Sequence, residues 1–409
     1  MPRKTYPYAM LAVLSGLNLL NYIDRNALLG VQPLIQKEFH INDAQTGILT
    51  SAFFFCYMFA APMVGWFGDK FPRKNIVLFG IFVWSGFTLL TWLVHSYSEL
   101  LLRHTIVGIG EASYATIAPA LVADSFPVER RGRMLSIFYL GLPVGSALGI
   151  ALSGPLGEHY GWRLPFMLAG IPGFFLALIF WCLPEPERGR TEAADSSPQR
   201  STFTGLFRNP AFITASLGMA MYTFAVGGLQ VWMPTFLVRV HHMSLSKAAI
   251  MFGLIAAVNG VVATALGGWI GDRMLVRDVG AYYKFSGIAM LVSVPLMVAA
   301  IYAEGRFLFI AIFAAVFMLL IGTAPSNTAV VNSVNAGIRS TALAVNTFVI
   351  HALGDAFSPS MIGWISDRTG SLRIAFTAAF IAAALSAVFF LYGARFAPRL
   401  QARILPQDA

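Results

Sequence analysis

Three charged side chains stand where apolar residues belong. Asp24 and Arg25 lie inside one long apolar run, near 8–32, and Glu111 lies inside another, near 99–124. A charge at the centre of a bilayer-spanning helix costs about 2.5–3.5 kcal/mol on the translocon scale, so such residues face the protein interior and are paired. Two acids and one base sharing a water-accessible cavity suit one kind of chemistry. One carboxylate keeps its proton until a substrate or the arginine moves, and then exchanges it. The expectation is Glu111 or Asp24 as the proton carrier and Arg25 as the anchor for an anion. The plainer alternative is a structural ion pair that orients two helices.

Other polar residues share these faces. Asn18, Asn21 and Arg25 follow at i, i+3 and i+7, on one side of a helix. Asp24 points about 100° away from Arg25 and so toward a neighbouring helix. Tyr114 lies three residues beyond Glu111 and is a candidate substrate contact. In a later run, Thr347, His351 and Asp355 fall at i, i+4 and i+8, and a histidine there could titrate near neutral pH or simply pack. Trp232, with Tyr222, Gln230 and Asn259, is a candidate for aromatic and polar lining.

These residues need long apolar helices to hold them. Only 11% of the 409 residues are charged, and the mean hydropathy is +0.69. Soluble domains carry roughly 25% charged residues, so the solvent for most of this chain is lipid. The net charge of +9 sits in short loops between apolar runs, which points to membrane topology and away from nucleic acid. Twelve segments are long enough to cross, near 8–32, 44–67, 75–95, 99–124, 133–156, 163–184, 210–238, 246–270, 281–303, 306–332, 338–364 and 372–396. With both termini in the cytoplasm, only Lys37, Arg163, Arg239, Lys247, Arg306, Arg368 and Arg373 fall in outer loops, and that bias favours this orientation. The polar stretch 185–209 reads as a cytoplasmic linker between halves 1–184 and 210–409. Cys56 and Cys182 lie in apolar runs and suggest neither a disulfide nor a metal site. His-Glu-x-x-His, Gly-x-Ser-x-Gly and Walker loops do not occur, so no enzyme activity, metal or cofactor is expected.

The halves repeat one another. Gly65-Trp-Phe-Gly-Asp69-Lys-Phe-Pro-Arg73-Lys74 follows the second run, and Gly268-Trp-Ile-Gly-Asp272-Arg273 follows the eighth. Duplicated six-helix units related by an axis along the membrane normal place a substrate site between them. The first of these strings resembles motif A of the major facilitator superfamily, and Arg103 with Gly108 and Gly110 resembles its fourth-span motif. The motif reads as a cytoplasmic latch. Gly65 allows close helix approach, Asp69 can sit at a helix N-terminus, Lys74 adds charge, and Arg73 pairs with a carboxylate, for which Asp124 is the candidate. Longer strings narrow the resemblance. Asn21-Tyr-Ile-Asp-Arg, Gly108-Ile-Gly-Glu-Ala-Ser-Tyr-Ala-Thr-Ile-Ala-Pro119 and Gly354-Asp-Ala-Phe-Ser-Pro359 look like the spinster family. That resemblance implies a twelve-helix fold and proton-driven transport of a lysolipid or related amphipathic anion. It also implies functional roles for Asp24, Arg25 and Glu111. The expected setting is a bacterial inner membrane, with the chain acting as a monomer. Organic anion symport, suggested by the same Asn-Tyr-x-Asp-Arg pattern, and multidrug efflux remain as alternatives.

Overall fold

Apolar runs of this length satisfy their backbone groups in lipid by forming helices, and nearly every described element is one. The computed structural model describes residues 6–186, 203–334 and 338–397. The expected linker falls for 187–202 outside the described residues.

In order, the helices are α1 (Tyr6–Phe39), α2 (Asp43–Lys70), α3 (Arg73–Leu90), α4 (Tyr97–Ser125), α5 (Val128–Tyr139), α6 (Gly141–Tyr160) and α7 (Arg163–Cys182). There follow α8 (Pro210–His241), α9 (Leu245–Leu275), α10 (Ala281–Tyr302), α11 (Arg306–Ile321), α12 (Thr323–Asn332), α13 (Arg339–Ile350), α14 (Ser358–Thr369), α15 (Leu372–Ala375) and α16 (Thr377–Gly393). Among the described residues, ten helical stretches are long and apolar enough to cross a membrane. The other two expected crossings are the more polar ones. One is α1, which carries Asn18, Asn21, Asp24 and Arg25. The other is α13–α14, interrupted by a π-helical turn at His351–Asp355. Four expected spans are broken helices, at Leu140, Gly322, 351–355 and Phe376.

The helices gather into two compact units. One takes Met1–Ser196 with Trp232–Ala257, and the other takes Ser197–Val231 with Val258–Ala409. The end of α8 and the start of α9 therefore group with the first unit, unlike a simple division at the linker. Within that unit Arg239 forks onto both carboxylate oxygens of Asp43, at 2.7 and 2.6 Å. It also donates to Gln36 at 2.7 Å, and the Ser246 amide donates to Glu158 at 2.7 Å. The Tyr6 hydroxyl donates to the Pro184 carbonyl, so the first helix begins where the sixth span ends.

The first unit's core holds Leu14, Leu17, Phe53, Trp84, Tyr114, Phe138 and Phe180. The second packs Met219, Tyr283, Val330 and Phe390. Large apolar side chains such as Phe79, Phe175, Ile310 and Val388 stand exposed, as lipid-facing surfaces do.

Small residues set the helix spacing. A Cβ at Gly80 of α3 would come 2.7 Å from the Gly110 carbonyl oxygen of α4, and one at Gly110 would come 2.7 Å from the Trp84 nitrogen. A Cβ at Gly145 of α6 would lie 2.7 Å from the Leu19 carbonyl of α1. Gly65 is different, and its expected role is corrected. Its Cβ would meet only Thr116 Cγ2 at 3.8 Å, an ordinary contact, whereas at Gly68 it would meet Ile117 at 3.1 Å. Overpacking a tight contact costs about 1–3 kcal/mol. Gly110→Val should lower the thermal unfolding midpoint of the purified protein by several degrees, whereas Gly65→Ala should leave it nearly unchanged.

Candidate functional site

The α1–α6 glycine seam fixes the rotation of α1 and turns Arg25 toward α4. Arg25 Nε and Nη2 both donate to Glu111 Oε2, at 2.9 and 2.6 Å. The Glu111 side chain is fully buried, while that of Arg25 is 15% exposed. The guanidinium is thus the accessible member of the pair. Four rings surround it, with centroids of Tyr22 at 5.0 Å, Phe53 at 4.9 Å, Phe54 at 5.9 Å and Tyr57 at 5.1 Å. Ring faces attract a cation more strongly once water is excluded, so this cage holds the arginine even when its carboxylate contact weakens.

Glu111 offers Arg25 only one oxygen. Among the described residues, its Oε1 and the amide atoms of the adjacent, buried Asn21 have no hydrogen-bond partner at normal geometry. A buried acceptor without a donor is costly, and a proton on Oε1 would turn it into a donor. Asp24 faces elsewhere, accepting from the Thr88 hydroxyl of α3. The adjacent acid and base on α1 therefore serve two different neighbouring helices.

The remaining candidates divide. Asn18 donates to the Phe138 carbonyl at 2.9 Å, and the Tyr114 hydroxyl donates to the Leu14 carbonyl, with its ring edge-on to Trp84 at 5.3 Å. The sequence expectation makes both substrate contacts, but the structure commits them to buried packing between helices. Trp232 is likewise fully buried. His351, in the second unit, has Nδ1 2.8 Å from Asp355 Oδ1 across the π-helical turn, where Gly354 adopts φ −106° and ψ −105°. In the motif A region, Arg73 Nη2 lies 2.6 Å from Asp124 Oδ2. The acid at the α3 N-terminus is Glu185, which accepts from the Arg73 and Lys74 amides at 3.0 and 3.3 Å. Asp69 stands exposed on the last turn of α2. In the repeat, the Tyr282 hydroxyl donates to Asp272 at 2.7 Å.

Sequence reasoning did not find the ring cage, Thr88 or Glu185. Phe53 and Tyr57, four apart on α2, were the available signal for the cage. Glu185 sits in a Pro-Glu-Pro-Glu string that reads only as linker.

This arrangement of long apolar helices around a buried ion pair defines a multi-pass membrane protein. The major facilitator superfamily model matches residues 14–359, and the chain belongs to that superfamily. Within it the chain belongs to the spinster family. It is 36% identical to protein spinster homolog 1 of Bos taurus over 385 residues, 88% of this chain and 73% of that protein. It is 32% identical to the sphingosine-1-phosphate transporter SPNS2 of Danio rerio, over 88% of this chain and 76% of that protein. Among solved structures, a bacterial homolog of the human lysosomal transporter spinster, in an inward-facing and unoccupied conformation, superposes with a TM-score of 0.84 at 25% identity. It covers 99% of this chain and 100% of that one. The chain is thus a membrane transporter for a small-molecule substrate.

Removing one partner of a buried pair leaves a stranded charge, which costs about 3–5 kcal/mol. At alkaline pH, where Glu111 cannot relieve the loss by taking up a proton, Arg25→Ala should therefore unfold more easily than wild type, and adding Glu111→Gln should recover most of the loss. Thermal unfolding of the single and double variants measures this, and equal stabilities would dismiss the pairing.

Proposed function

We propose that this protein is a proton-coupled transporter of lysolipids or related amphipathic anions. Arg25 receives the anionic head group, and Glu111 carries the proton, with Asp24 as a second acid on the same helix. The observation that supports this most directly is the asymmetry of the ion pair. The partly exposed Arg25 contacts a fully buried Glu111 through one oxygen only, while Oε1 makes no hydrogen bond of normal geometry among the described residues and has Asn21 as its polar neighbour.

The steps follow from that geometry. With Glu111 ionised, Arg25 is held on Oε2 and its charge is neutralised. An incoming phosphate or carboxylate competes for the guanidinium, whose position the rings of α2 maintain. As the Arg25–Glu111 contact loosens, the carboxylate loses its counter-charge in a water-poor site and takes up a proton. Substrate and proton are thereby linked through one arginine. Asn21, beside Glu111, is placed to receive the Oε1 proton as a hydrogen bond. Exposure of this site alternately to the two sides of the membrane then moves both.

The relatives favour a lipid-like anion. A zebrafish relative is named for transport of sphingosine-1-phosphate, an amphipathic phosphate. We place the chain in a cell inner membrane, with both termini cytoplasmic on the distribution of Lys and Arg, and acting as a monomer.

The test is transport by purified protein in liposomes. Wild type should accumulate lysophospholipid with saturation and should respond to an imposed proton gradient. Glu111→Gln should fold yet lose the gradient response, and Arg25→Lys, which keeps the charge but not the fork, should raise the half-saturating concentration roughly tenfold. Wild-type pH dependence in Glu111→Gln would remove that residue from the coupling role. Uptake of sugar acids in place of lysolipids would favour the organic anion alternative.

A further inference from the structure

We propose that the crevice between α2 and α3 binds one acyl chain of an anionic phospholipid, with its head group at Lys70 and Lys74. Each of these helices packs on α4, and only Phe71 and Pro72 join them. They part above that short turn and leave a lateral cleft of about 660 Å³. Sites for small ligands occupy roughly 300–1,000 Å³. Phe59, Met63 and Phe67 of α2 form one wall, Phe79 of α3 the other, and Ile109 and Ser113 of α4 the floor. Phe59, Met63 and Phe79 are each 60–62% exposed.

Depth, shape and charge select the occupant. From Cys56 to Phe67 the cleft follows eleven residues of helix, about 16 Å. That is about half of a ~30 Å hydrocarbon core, the thickness of one leaflet. A narrow apolar cleft of that length, open sideways to the bilayer, fits a chain lying along the helices.

At its polar end, Lys70 Nζ sits 3.8 Å from the Trp66 ring centroid, and Lys74 Nζ donates to the Trp181 carbonyl at 2.5 Å. Arg73 between them is engaged by Asp124 and Glu185, and Asn75 lines the mouth. Neither lysine lines the cleft itself, but each is next in sequence to a residue that does, Lys70 to Phe71 and Lys74 to Asn75, and two ammonium groups beside the mouth of an apolar cleft complement an acidic head group.

This site is separate from the central one. On α2, Phe53 and Tyr57 face Arg25, whereas Phe59 and Met63 point roughly 80–120° away from Phe53 around the helix. The inference is therefore independent of the identity of the transported substrate.

Native mass spectrometry of the purified full chain, equilibrated with equimolar phosphatidylglycerol and phosphatidylethanolamine in detergent, tests the proposal. Wild type should retain one lipid, with phosphatidylglycerol favoured roughly tenfold. Ile109→Trp and Met63→Trp, made separately, fill the cleft from floor and wall, and each should strip that lipid. Lys70→Gln with Lys74→Gln should remove the preference for phosphatidylglycerol while chain binding persists. Alkylation of Cys56, which lines the cleft, should slow in Cys182→Ser protein when phosphatidylglycerol is added, a readout that leaves the cleft unaltered. Equal retention of the two lipids by wild type would overturn the proposal. So would unchanged retention in a tryptophan variant that elutes as wild type does, or Cys56 reactivity indifferent to lipid.

Discussion

A charge inside a bilayer has no water to stabilise it, and Arg25 obtains that stabilisation from a single carboxylate oxygen and four aromatic rings. Much of the first unit serves this arrangement. The α1–α6 glycine seam brings α1 close enough that its rotation is fixed. The Gly80–Gly110 contact holds α3 against α4 and so places Glu111 at the depth of Arg25. Phe53 plays two parts, as a core side chain and as one face of the cage.

The pair is strong enough to order the helices yet incompletely satisfied. A bidentate arrangement, with both carboxylate oxygens accepting, would resist exchange. One oxygen accepting two donors leaves the other available, and the rings keep the cation in place without a second acid. Asp24, next in sequence, is occupied by Thr88 on a different helix. Two acids in one cluster thus differ in surroundings, which is what distinct roles require.

Much of this was legible in the sequence because charges are rare there. Asp24, Arg25 and Glu111 stand out against apolar runs, and helical spacing already assigned Asp24 and Arg25 to different directions. The ring cage was not legible, since aromatic residues make up 13% of the chain and four of them carry no special signal. Tyr114 looked like a site residue from its closeness to Glu111, but three residues of helix turn its hydroxyl toward the α1 backbone. The motif pattern singled out Gly65, while spatial approach to α4 falls on Gly68. Breaks at Leu140, Gly322 and Phe376 were hidden because apolar composition does not record which carbonyl each amide bonds.

The contact between Tyr6 and Pro184 has a consequence for how such a chain could arise. The sixth expected span ends beside the start of the first, within a compact unit that also takes in the end of α8 and the start of α9. A gene segment encoding a module of this kind can be copied in tandem with a short joint, because the second copy starts on the face where the first one finished. The same closeness of ends makes the module a candidate for circular permutation, with new termini cut in a loop and the old ones fused.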